Sequence, residues 1–505
     1  MFAHVLWVSV LSVRINSSHA FWEADPRAVA YLNELFSSSN DRQFIVSPVL
    51  AKNIPLRYLS FYLIALLFIL SPESKAAPWV SMDDAYLKSD LQMLADAGLI
   101  SVPINSYPIR WSRLDTDLQL MHMVPLPPSL EQAYQHLSYA LDQNAIGNGR
   151  KHVVLGYART SRDDRSFAAP LTTHWQVKSS YELIEHDYAF RVAANYQRSP
   201  DKSGNEDTDY GLDDSYLALN WGNLSATFGS LQHWWGPTSI YNLAWGHTRR
   251  TIPGLNLAYD GYDWPIFGNW HAETFWGFNE TPSRNDKQWS NRFEFSPFNR
   301  LNIGLVYQKW FDKPDWDGYL TGSVQPQDGE QEQYSADIRL SLPVLNMGTV
   351  VTQSIYAQGA SLVNERSLGS LVIGWQSQFD LGGQSLRWTA EVKQLTNDAK
   401  QQWRNMLSDR TTMVGQHDYQ SVSGMDIGEA KSLKLLWITP DSWELTLQGQ
   451  SYHQSDDDET LKKLTAYVRL PLANSRLTLG SDFMPDTKSN QTDKWNYWVN
   501  WDFRF

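Results

Sequence analysis

Cysteine is the one residue type that this 505-residue chain lacks altogether. Its absence excludes disulfide bonds, thiolate nucleophiles and cysteine-ligated metal centres. A surplus of positive charge is missing as well, since the formal net charge is −13. Binding to a nucleic-acid backbone requires a basic face, so we predict no nucleic-acid partner.

Motifs for catalysis or cofactor binding are also missing. No G-x-S-x-G stands in a strand-to-helix context, and the sequence contains no H-E-x-x-H and no glycine-rich phosphate loop. The 12 histidines are scattered along the chain rather than clustered. We therefore predict that the protein is not an enzyme, and that it has no cofactor and no metal site.

Only one long apolar run is present, at residues 58–70, and it is too short for a comfortable transmembrane helix. Lys52 and Arg57 precede it, and small residues near Ala76 follow it, which is typical of a secretory signal peptide. We predict a signal peptide at residues 53–76, with cleavage before Ala77. Residues 1–52 are then interpreted as a mis-assigned or unstructured N-terminal extension.

Aromatic residues, in contrast, are plentiful: the chain contains 23 Trp and is 13% aromatic. The last segment, 494–505, is rich in them: every second residue is large and apolar, and the intervening residues are mostly polar. This period of two predicts a β-strand with one face suited to lipid and one to a wet interior. The apolar face ends in Trp501, Phe503 and Phe505, which resembles the C-terminal sorting signal read by the barrel assembly machinery of the bacterial outer membrane.

Helical periodicity is confined to the region just after the predicted cleavage site. Leu87, Leu91 and Leu94 predict a helix over Met82–Ala97, and Gly98 ends the pattern. A second helix is predicted from Ser129 to about Gln143. The residues between them, Tyr107–Trp111, are predicted to form an extended linker. We therefore predict a small N-terminal α-helical domain over residues 77–150.

From residue 151 to residue 505 the helical period gives way to alternation of apolar and polar residues. The segments 188–197, 334–342, 386–393 and 443–448 each carry an apolar row opposite a polar or charged row. That pattern favours a lipid-facing exterior and a watery lumen over the dry core of a sandwich. Trp388, Trp437, Trp443, Trp495 and Trp501 fall near strand ends on the predicted outer face, as in an aromatic girdle.

Short turns alternate with long polar loops along this region, as in barrels of the outer membrane. Eight short turns join sixteen strands, and a first and last strand with free ends bring the count to eighteen. The turn at 260–268 is the least clear, which leaves sixteen strands as the alternative. The predicted fold is therefore an all-β transmembrane antiparallel β-barrel that carries the helical domain.

An aromatic motif stands in the predicted long loop 232–253, where Trp234-Trp235-Gly236-Pro237 is followed by Arg249. With a cleaved signal, a helical domain containing Tyr107–Trp111 and an eighteen-strand count, this motif resembles the Wzi-type capsule assembly proteins. The resemblance implies an outer-membrane, lectin-like barrel without catalytic activity, which helps to attach or organise capsular or related surface polysaccharide. It also implies contact with outer-membrane lipid and lipopolysaccharide.

The loop 232–253 holds the predicted polysaccharide contacts. Aromatic faces suit the C–H faces of sugar rings, and arginine suits hydroxyls and uronic acids. The predicted contacts are Trp234, Trp235, Tyr241, Trp245, Arg249 and Arg250. Two alternatives stay open for the tryptophans, a brace inside the lumen and the membrane girdle, and the arginines alternatively balance lumenal charge. For the whole protein, the alternative is a porin or channel for solutes or oligosaccharides.

Overall fold

The computed structural model describes most of the chain beyond residue 78. The described residues are 79–80, 82–145, 149–160, 162, 166–169, 173–185, 187–200, 206–246, 251–278, 287–311, 331–342, 350–362, 368–395, 429–454, 459–473, 475–485 and 495–504. The predicted extension (1–52) and signal peptide (53–76) lie outside them, as do Arg249, Arg250 and Phe505. The helix and strand bounds that follow refer to the described residues.

Three helices precede the strands: α1 (Ala85–Asp96), α2 (Trp111–Met121) and α3 (Pro128–Ala145). The two predicted helices are confirmed as α1 and α3. Helix α1 begins after Asp84, whose side chain accepts hydrogen bonds from the backbone N–H groups of Tyr86 and Leu87 at 3.0 and 3.2 Å. None of the described helices is long and apolar enough to cross a membrane.

The prediction of an extended linker over Tyr107–Trp111 is wrong at its end, because Trp111 begins helix α2. Trp111, Leu114, Leu118 and Met121 recur at helical spacing, and all four are buried. Their apolar stripe packs with α1 and α3 into a single core that also contains Trp234 from the predicted loop. The helical domain therefore shares its core with a segment of the barrel.

Two short strands, β1 (Ser106–Tyr107) and β8 (Trp234–Trp235), pair antiparallel with each other and stand apart from the barrel wall. The wall begins with β2 (Arg150–Ala158), β3 (Trp175–Ile184), β4 (Tyr188–Pro200), β5 (Glu206–Gly211), β6 (Tyr216–Trp221) and β7 (Leu224–Ser230). It continues with β9 (Pro253–Trp264), β10 (Gly268–Phe278), β11 (Lys287–Phe298), β12 (Leu301–Phe311), β13 (Gln331–Leu342), β14 (Val350–Leu362) and β15 (Ser370–Asp380). It ends with β16 (Ser385–Leu395), β17 (Glu429–Ile438), β18 (Glu444–Gln454), β19 (Glu459–Leu472), β20 (Ser475–Phe483) and β21 (Trp495–Arg504).

Neighbouring wall strands pair antiparallel, and β21 pairs with β2 to close the barrel. Because β5 and β6 both pair with β4, end to end, they occupy one position in the wall. The nineteen described wall segments therefore fill eighteen positions, which confirms the predicted count. The doubtful turn at 260–268 is real, since β9 and β10 pair across it.

The predicted alternation is present in the wall. On β13, Asp337 and Arg339 are buried toward the lumen, whereas Tyr334 and Ile338 are exposed on the outer surface. On β21, Trp495, Tyr497 and Trp501 are exposed in the same way, and Trp498 is buried toward the lumen. Closure leaves no unpaired edge, which a lipid environment demands because unpaired backbone groups there cost several kcal/mol each.

Candidate functional site

The segment 231–246, which we call the inward segment, leaves the wall after β7 and runs into the lumen. Its strand β8 pairs with β1 of the helical domain, Ser106 opposite Trp235 and Tyr107 opposite Trp234. Trp234 and Trp235 have no exposed surface, and Tyr241 and Trp245 are also buried. The predicted outside loop is therefore, over these residues, an internal element that joins the wall to the helices.

Glu391 on β16 holds the middle of the inward segment. Its carboxylate accepts the backbone N–H groups of Ser239 (2.6 Å), Ile240 (3.1 Å) and Tyr241 (2.8 Å). The Tyr356 hydroxyl on β14 donates a fourth hydrogen bond at 2.7 Å. A charged acceptor strengthens each of these bonds, and the carboxylate is fully buried. Both oxygens of Glu391 are therefore committed to structure.

Two glutamine side chains hold the segment from the neighbouring strands. Gln358 on β14 donates to the Trp235 carbonyl at 2.9 Å and accepts from the Leu243 N–H at 3.0 Å. Gln333 on β13 donates to the Leu243 carbonyl at 2.5 Å. The backbone of Gly236 lies against this clamp at φ +141°, and a Cβ there would meet the Gln358 amide nitrogen at 2.5 Å. Only glycine fits at that point.

The indoles of the inward segment also have internal partners. His233 stacks on Trp245 with ring centroids 4.1 Å apart, and Trp235 meets Trp245 edge to face at 4.8 Å. Glu273 on β10 accepts the Trp235 indole N–H at 3.1 Å, and its other oxygen lies 3.2 Å from the His233 ring nitrogen Nε2. These contacts place the tryptophans in the lumenal brace alternative and away from the outer girdle.

Lys88 ties helix α1 to the same segment. Its ammonium donates to the Thr238 carbonyl at 2.9 Å, and the Trp234 indole donates to the same oxygen at 2.9 Å. The ammonium also lies 3.9 Å from the Phe167 ring centroid and 5.0 Å from that of Trp234. Burial lowers the pKa of Lys88 well below its usual range. The helical domain and the inward segment therefore form one packed unit.

Three aspartates of α1 and its cap bind arginines of the wall. Asp96 pairs with Arg339 on β13 at 2.8 Å, Asp90 pairs with Arg387 on β16, and Asp84 pairs with Arg476 on β20. Each arginine lies within three residues of the short-turn end of its strand. Helix α1 therefore spans the lumen at that end of the barrel.

The charge of Asp84 is stabilised by this arrangement. Burial alone disfavours its ionisation, but the Arg476 and Arg469 guanidinium groups outweigh that effect and hold the pKa of Asp84 well below its usual range. The carboxylate that caps α1 is therefore also an anchor to the barrel wall.

The start of α2 binds the opposite part of the wall. Arg110 and Arg113 both pair with Asp260 on β9, and the Arg113 contact measures 3.1 Å. Arg110 also donates to the Asn223 carbonyl in a short turn at 2.8 Å. Asn105 donates its backbone N–H to Glu294 on β11 at 2.9 Å. The Tyr107–Trp111 motif of the sequence therefore lies in the attachment between domain and barrel.

A second lumenal group was not predicted from the sequence. Ser432 and Lys434 on β17, Gln448 and Gln450 on β18, and Lys463 and Thr465 on β19 point to the lumen and are buried there. We call these six residues the lysine wall. The six residues lie on three separate strands, and no single stretch of sequence contains the pattern. Only the strand register makes them neighbours, so the alternation of each strand was the one available signal.

Comparisons with known proteins agree with the barrel. The family model described as capsule assembly protein Wzi matches residues 156–312. No curated protein matches the sequence. A solved Escherichia coli structure, described as an outer-membrane protein involved in group 1 capsule assembly and as a carbohydrate-binding β-barrel, matches with a TM-score of 0.69 at 14% identity. That match covers 85% of this chain and 100% of the E. coli chain.

Two further barrels are similar at lower TM-scores. Pseudomonas aeruginosa OccD3 matches at 10% identity with a TM-score of 0.42, over 71% of this chain and 90% of its own. Acinetobacter baumannii OccAB3 matches at 9% identity with a TM-score of 0.43, over 71% of this chain and 100% of its own. The chain therefore resembles Wzi-type proteins in residues 156–312 and in the fold of its barrel.

Proposed function

We propose that this protein is an outer-membrane β-barrel that binds surface polysaccharide and helps to attach or organise it at the cell surface. The observation that carries the proposal is the filled lumen. Helix α1, helix α2 and the inward segment are bound to opposite parts of the wall by buried charges and hydrogen bonds. A transport channel needs an open or readily opened lumen, whereas an attachment protein does not.

The Wzi-type family match and the apolar outer surface support this function. The matched E. coli structure is described as a carbohydrate-binding barrel involved in capsule assembly. By analogy with that structure, we propose that the ligand of this chain is a polysaccharide. No step of this function requires catalysis. Contact with lipopolysaccharide belongs to the same proposal, since outer-membrane lipid surrounds the barrel.

Within this function, Trp234, Trp235, Tyr241 and Trp245 have a supporting role. All four are buried, so they hold the inward segment in place beneath the polymer instead of stacking on it. Arg249 and Arg250 follow the segment in sequence after His247 and Thr248, and they remain the proposed polymer contacts. Substitution of the buried aromatic residues should therefore disturb the packing of the lumen, whereas substitution of the two arginines should not.

The first test is polymer retention in a strain that lacks the protein. We expect the polymer to be made but shed into the medium, measured as the ratio of cell-bound to released polysaccharide. Restored wild-type protein returns the polymer to the cell. Polymer that stays attached without the protein contradicts the proposal, and the alternative of a porin or channel then takes precedence.

Two double variants distinguish the residues that support the inward segment from the residues that contact the polymer. Trp234→Ala with Trp235→Ala should shed polymer and also make the lumen accessible to protease, because the inward segment loses its packing. Arg249→Gln with Arg250→Gln should shed polymer while protease resistance is kept. Both are compared at equal amounts of folded barrel. Full retention by the arginine variant would show that the contacts lie elsewhere.

Channel activity is tested in planar bilayers. The wild-type protein should form no large steady channels, whereas Glu391→Ala should conduct because three backbone N–H groups of the inward segment lose their acceptor. Glu429→Ala is the matched control, since this exposed carboxylate begins the neighbouring strand β17. Large steady channels from the wild-type protein would favour the porin function.

Assembly of the barrel is a separate part of the proposal. Strand β21 closes the barrel against β2, and Trp501 is exposed on its outer face. We propose that Trp501, Phe503 and Phe505 are read by the barrel assembly machinery after the signal peptide at 53–76 directs export. Phe505→Ala should reduce the amount of heat-modifiable barrel in the outer membrane, whereas Lys494→Ala should leave it unchanged.

A further inference from the structure

A small cavity lies where helix α1, the inward segment and the barrel wall meet. Polar side chains from all three line it, namely Lys88 and Gln92 from α1, Ser239 from the inward segment, and Gln376, Thr389 and Lys434 from the wall. Its volume is about 60 Å³, which is enough for a small ion or a few water molecules. The cavity is therefore suited to a ligand of one or a few atoms.

Three of the lining side chains stand in one lumenal row of the wall. Gln376 on β15 lies directly opposite Thr389 on β16, and Thr389 lies directly opposite Lys434 on β17. Directly opposed residues have Cβ atoms about 4.5–5.5 Å apart. The Gln376 amide nitrogen donates to the Ser239 hydroxyl at 2.9 Å, which ties the row to the inward segment. The Thr389 hydroxyl and the Lys434 ammonium therefore face the cavity side by side.

Lys88 lines the same cavity from helix α1. Its ammonium has three N–H donors, and among the described residues only the Thr238 carbonyl accepts one of them, at 2.9 Å. Burial is the main cause that lowers the pKa of Lys88, and the positive charge of Lys434 acts in the same direction. The two ammonium groups therefore repel each other, and two N–H donors of Lys88 are left for a ligand.

The carboxylates around the cavity do not balance the two lysines. Lys88 and Lys434 are buried, yet neither forms an ion pair within the described part of the chain, although buried lysines are ordinarily paired. Asp90 pairs with Arg387, which cancels both of those charges. Glu391 alone opposes the two ammonium groups, and its oxygens accept hydrogen bonds from the inward segment. The cavity therefore has a surplus of one positive charge.

We infer that this cavity binds a small monovalent anion, chloride in ordinary salt, between Lys88 of helix α1 and Lys434 of β17. The anion accepts from both ammonium groups and from the Thr389 hydroxyl, and it cancels the surplus charge. A spherical ion suits this set, because it accepts several donors without a fixed geometry. Since Lys88 belongs to the helical domain and Lys434 to the wall, the ion is a further link between the two. The inference does not depend on which ligand the protein holds at the cell surface.

Limited proteolysis of the full-length barrel in detergent tests the inference. Sodium chloride replaces sodium gluconate stepwise at constant ionic strength, because gluconate is too large for a cavity of about 60 Å³. We expect cleavage within the helical domain to slow about tenfold when chloride reaches ten times its Kd, since an ion that binds only the docked domain lowers the open population. Bromide should protect as chloride does. Equal cleavage in chloride and gluconate would overturn the inference.

A matched pair of variants distinguishes binding in the cavity from a general effect of salt. Lys434→Gln removes the ammonium group of the wall and should make cleavage independent of chloride. Lys431→Gln makes the same charge change on the exposed face of the same strand and should keep the wild-type dependence. The inference fails if both variants keep the dependence, or if both lose it.

Bromide locates the ion directly in crystals of the wild-type protein, which needs no variant to fold. Anomalous scattering from crystals soaked in sodium bromide should show a peak between the Lys88 and Lys434 ammonium nitrogen atoms. Crystals of the Lys434→Gln variant should lack that peak. Wild-type crystals without bromide in the cavity would contradict the inference, whatever the protease result.

Discussion

The two sides of the lumen use their charges differently. Facing the helical domain, Arg339, Arg387 and Asp260 each pair with an opposite charge of α1 or α2. In the lysine wall, Lys434 and Lys463 point to the lumen from an equally buried position without an ion pair among the described residues. Removal of a paired charge leaves its partner buried without a counter-charge, whereas removal of an unpaired charge leaves no such partner behind. Substitutions on the first side should therefore cost stability, whereas substitutions of the two lysines should cost little or none.

The largest expected effect is that of Asp96→Ala. Asp96 accepts from Arg339 at 2.8 Å, from Ser341 at 2.8 Å and from Ser354 at 3.0 Å, so its loss leaves a buried guanidinium without a counter-charge. We expect attachment of the helical domain to weaken by about 3–5 kcal/mol, measured as its rate of proteolysis in the folded barrel. Asp115→Ala on the outer face of α2 is the control. Equal proteolysis of both variants would mean that the Asp96–Arg339 ion pair does not hold the helical domain.

The next effect is that of Gly236→Ala. A Cβ at this positive φ meets the Gln358 amide that clamps the inward segment, and we expect a cost of about 1–3 kcal/mol. Hydrogen exchange of the Leu243 and Tyr241 amides should accelerate. Gly382→Ala is the control, because Gly382 also has a positive φ but a Cβ there meets no atom within 4 Å. Unchanged exchange in the Gly236 variant would show that the clamp can shift.

A smaller effect, of opposite sign, is expected in the lysine wall. Lys463→Met replaces a buried ammonium, which forms no ion pair among the described residues, by an apolar chain of similar length. The free energy of unfolding should stay the same or rise by about 1 kcal/mol, measured by denaturant titration of the folded barrel. Arg339→Met makes the same kind of change on the paired side and should destabilise by about 3–5 kcal/mol. If both variants lose stability alike, the contrast between the two sides is wrong.

The smallest effect is a pH dependence in the helical domain. Burial lowers the pKa of His136, but its 2.6 Å contact with Asp90 outweighs burial, and the pKa is raised above the ordinary value. A raised histidine pKa stabilises the fold fully below the unfolded value of about 6.5 and loses that contribution as pH rises through the folded value. Proteolysis of α3 should therefore increase slightly above that pH. His136→Gln should remove the dependence, and a persistent dependence would point to another group.

The fold was accessible from the sequence because each strand carries its own signal. Alternation in segments such as 334–342 predicts a strand and its two faces, and Gly222-Asn223 or Pro440-Asp441 predicts where strands turn. Helix α2 was missed because Pro108 suggested an extended linker, although Trp111, Leu114, Leu118 and Met121 recur at helical spacing.

The candidate site was accessible only in part. The Trp234–Pro237 motif is visible in the sequence. Whether the segment runs into the lumen or out of the barrel depends on hydrogen-bond partners on three distant strands, Glu391, Gln358 and Glu273. Loop length and composition do not encode whether such partners exist. The lysine wall was missed for the same reason, since Lys434 and Lys463 are ordinary lumenal residues until β18 brings them together.

The sequence by itself determined the closed barrel, its eighteen strand positions, its lipid-facing surface and the two outer helices of the small domain. Those properties follow from local periodicity and turn residues, which act over a few neighbours along the chain. Tertiary structure alone decided that the inward segment fills the lumen, that α1 spans it, and that Lys434 and Lys463 face it without an ion pair among the described residues. Each of these depends on which distant strands meet across the barrel, and that register is a property of closure rather than of any one segment.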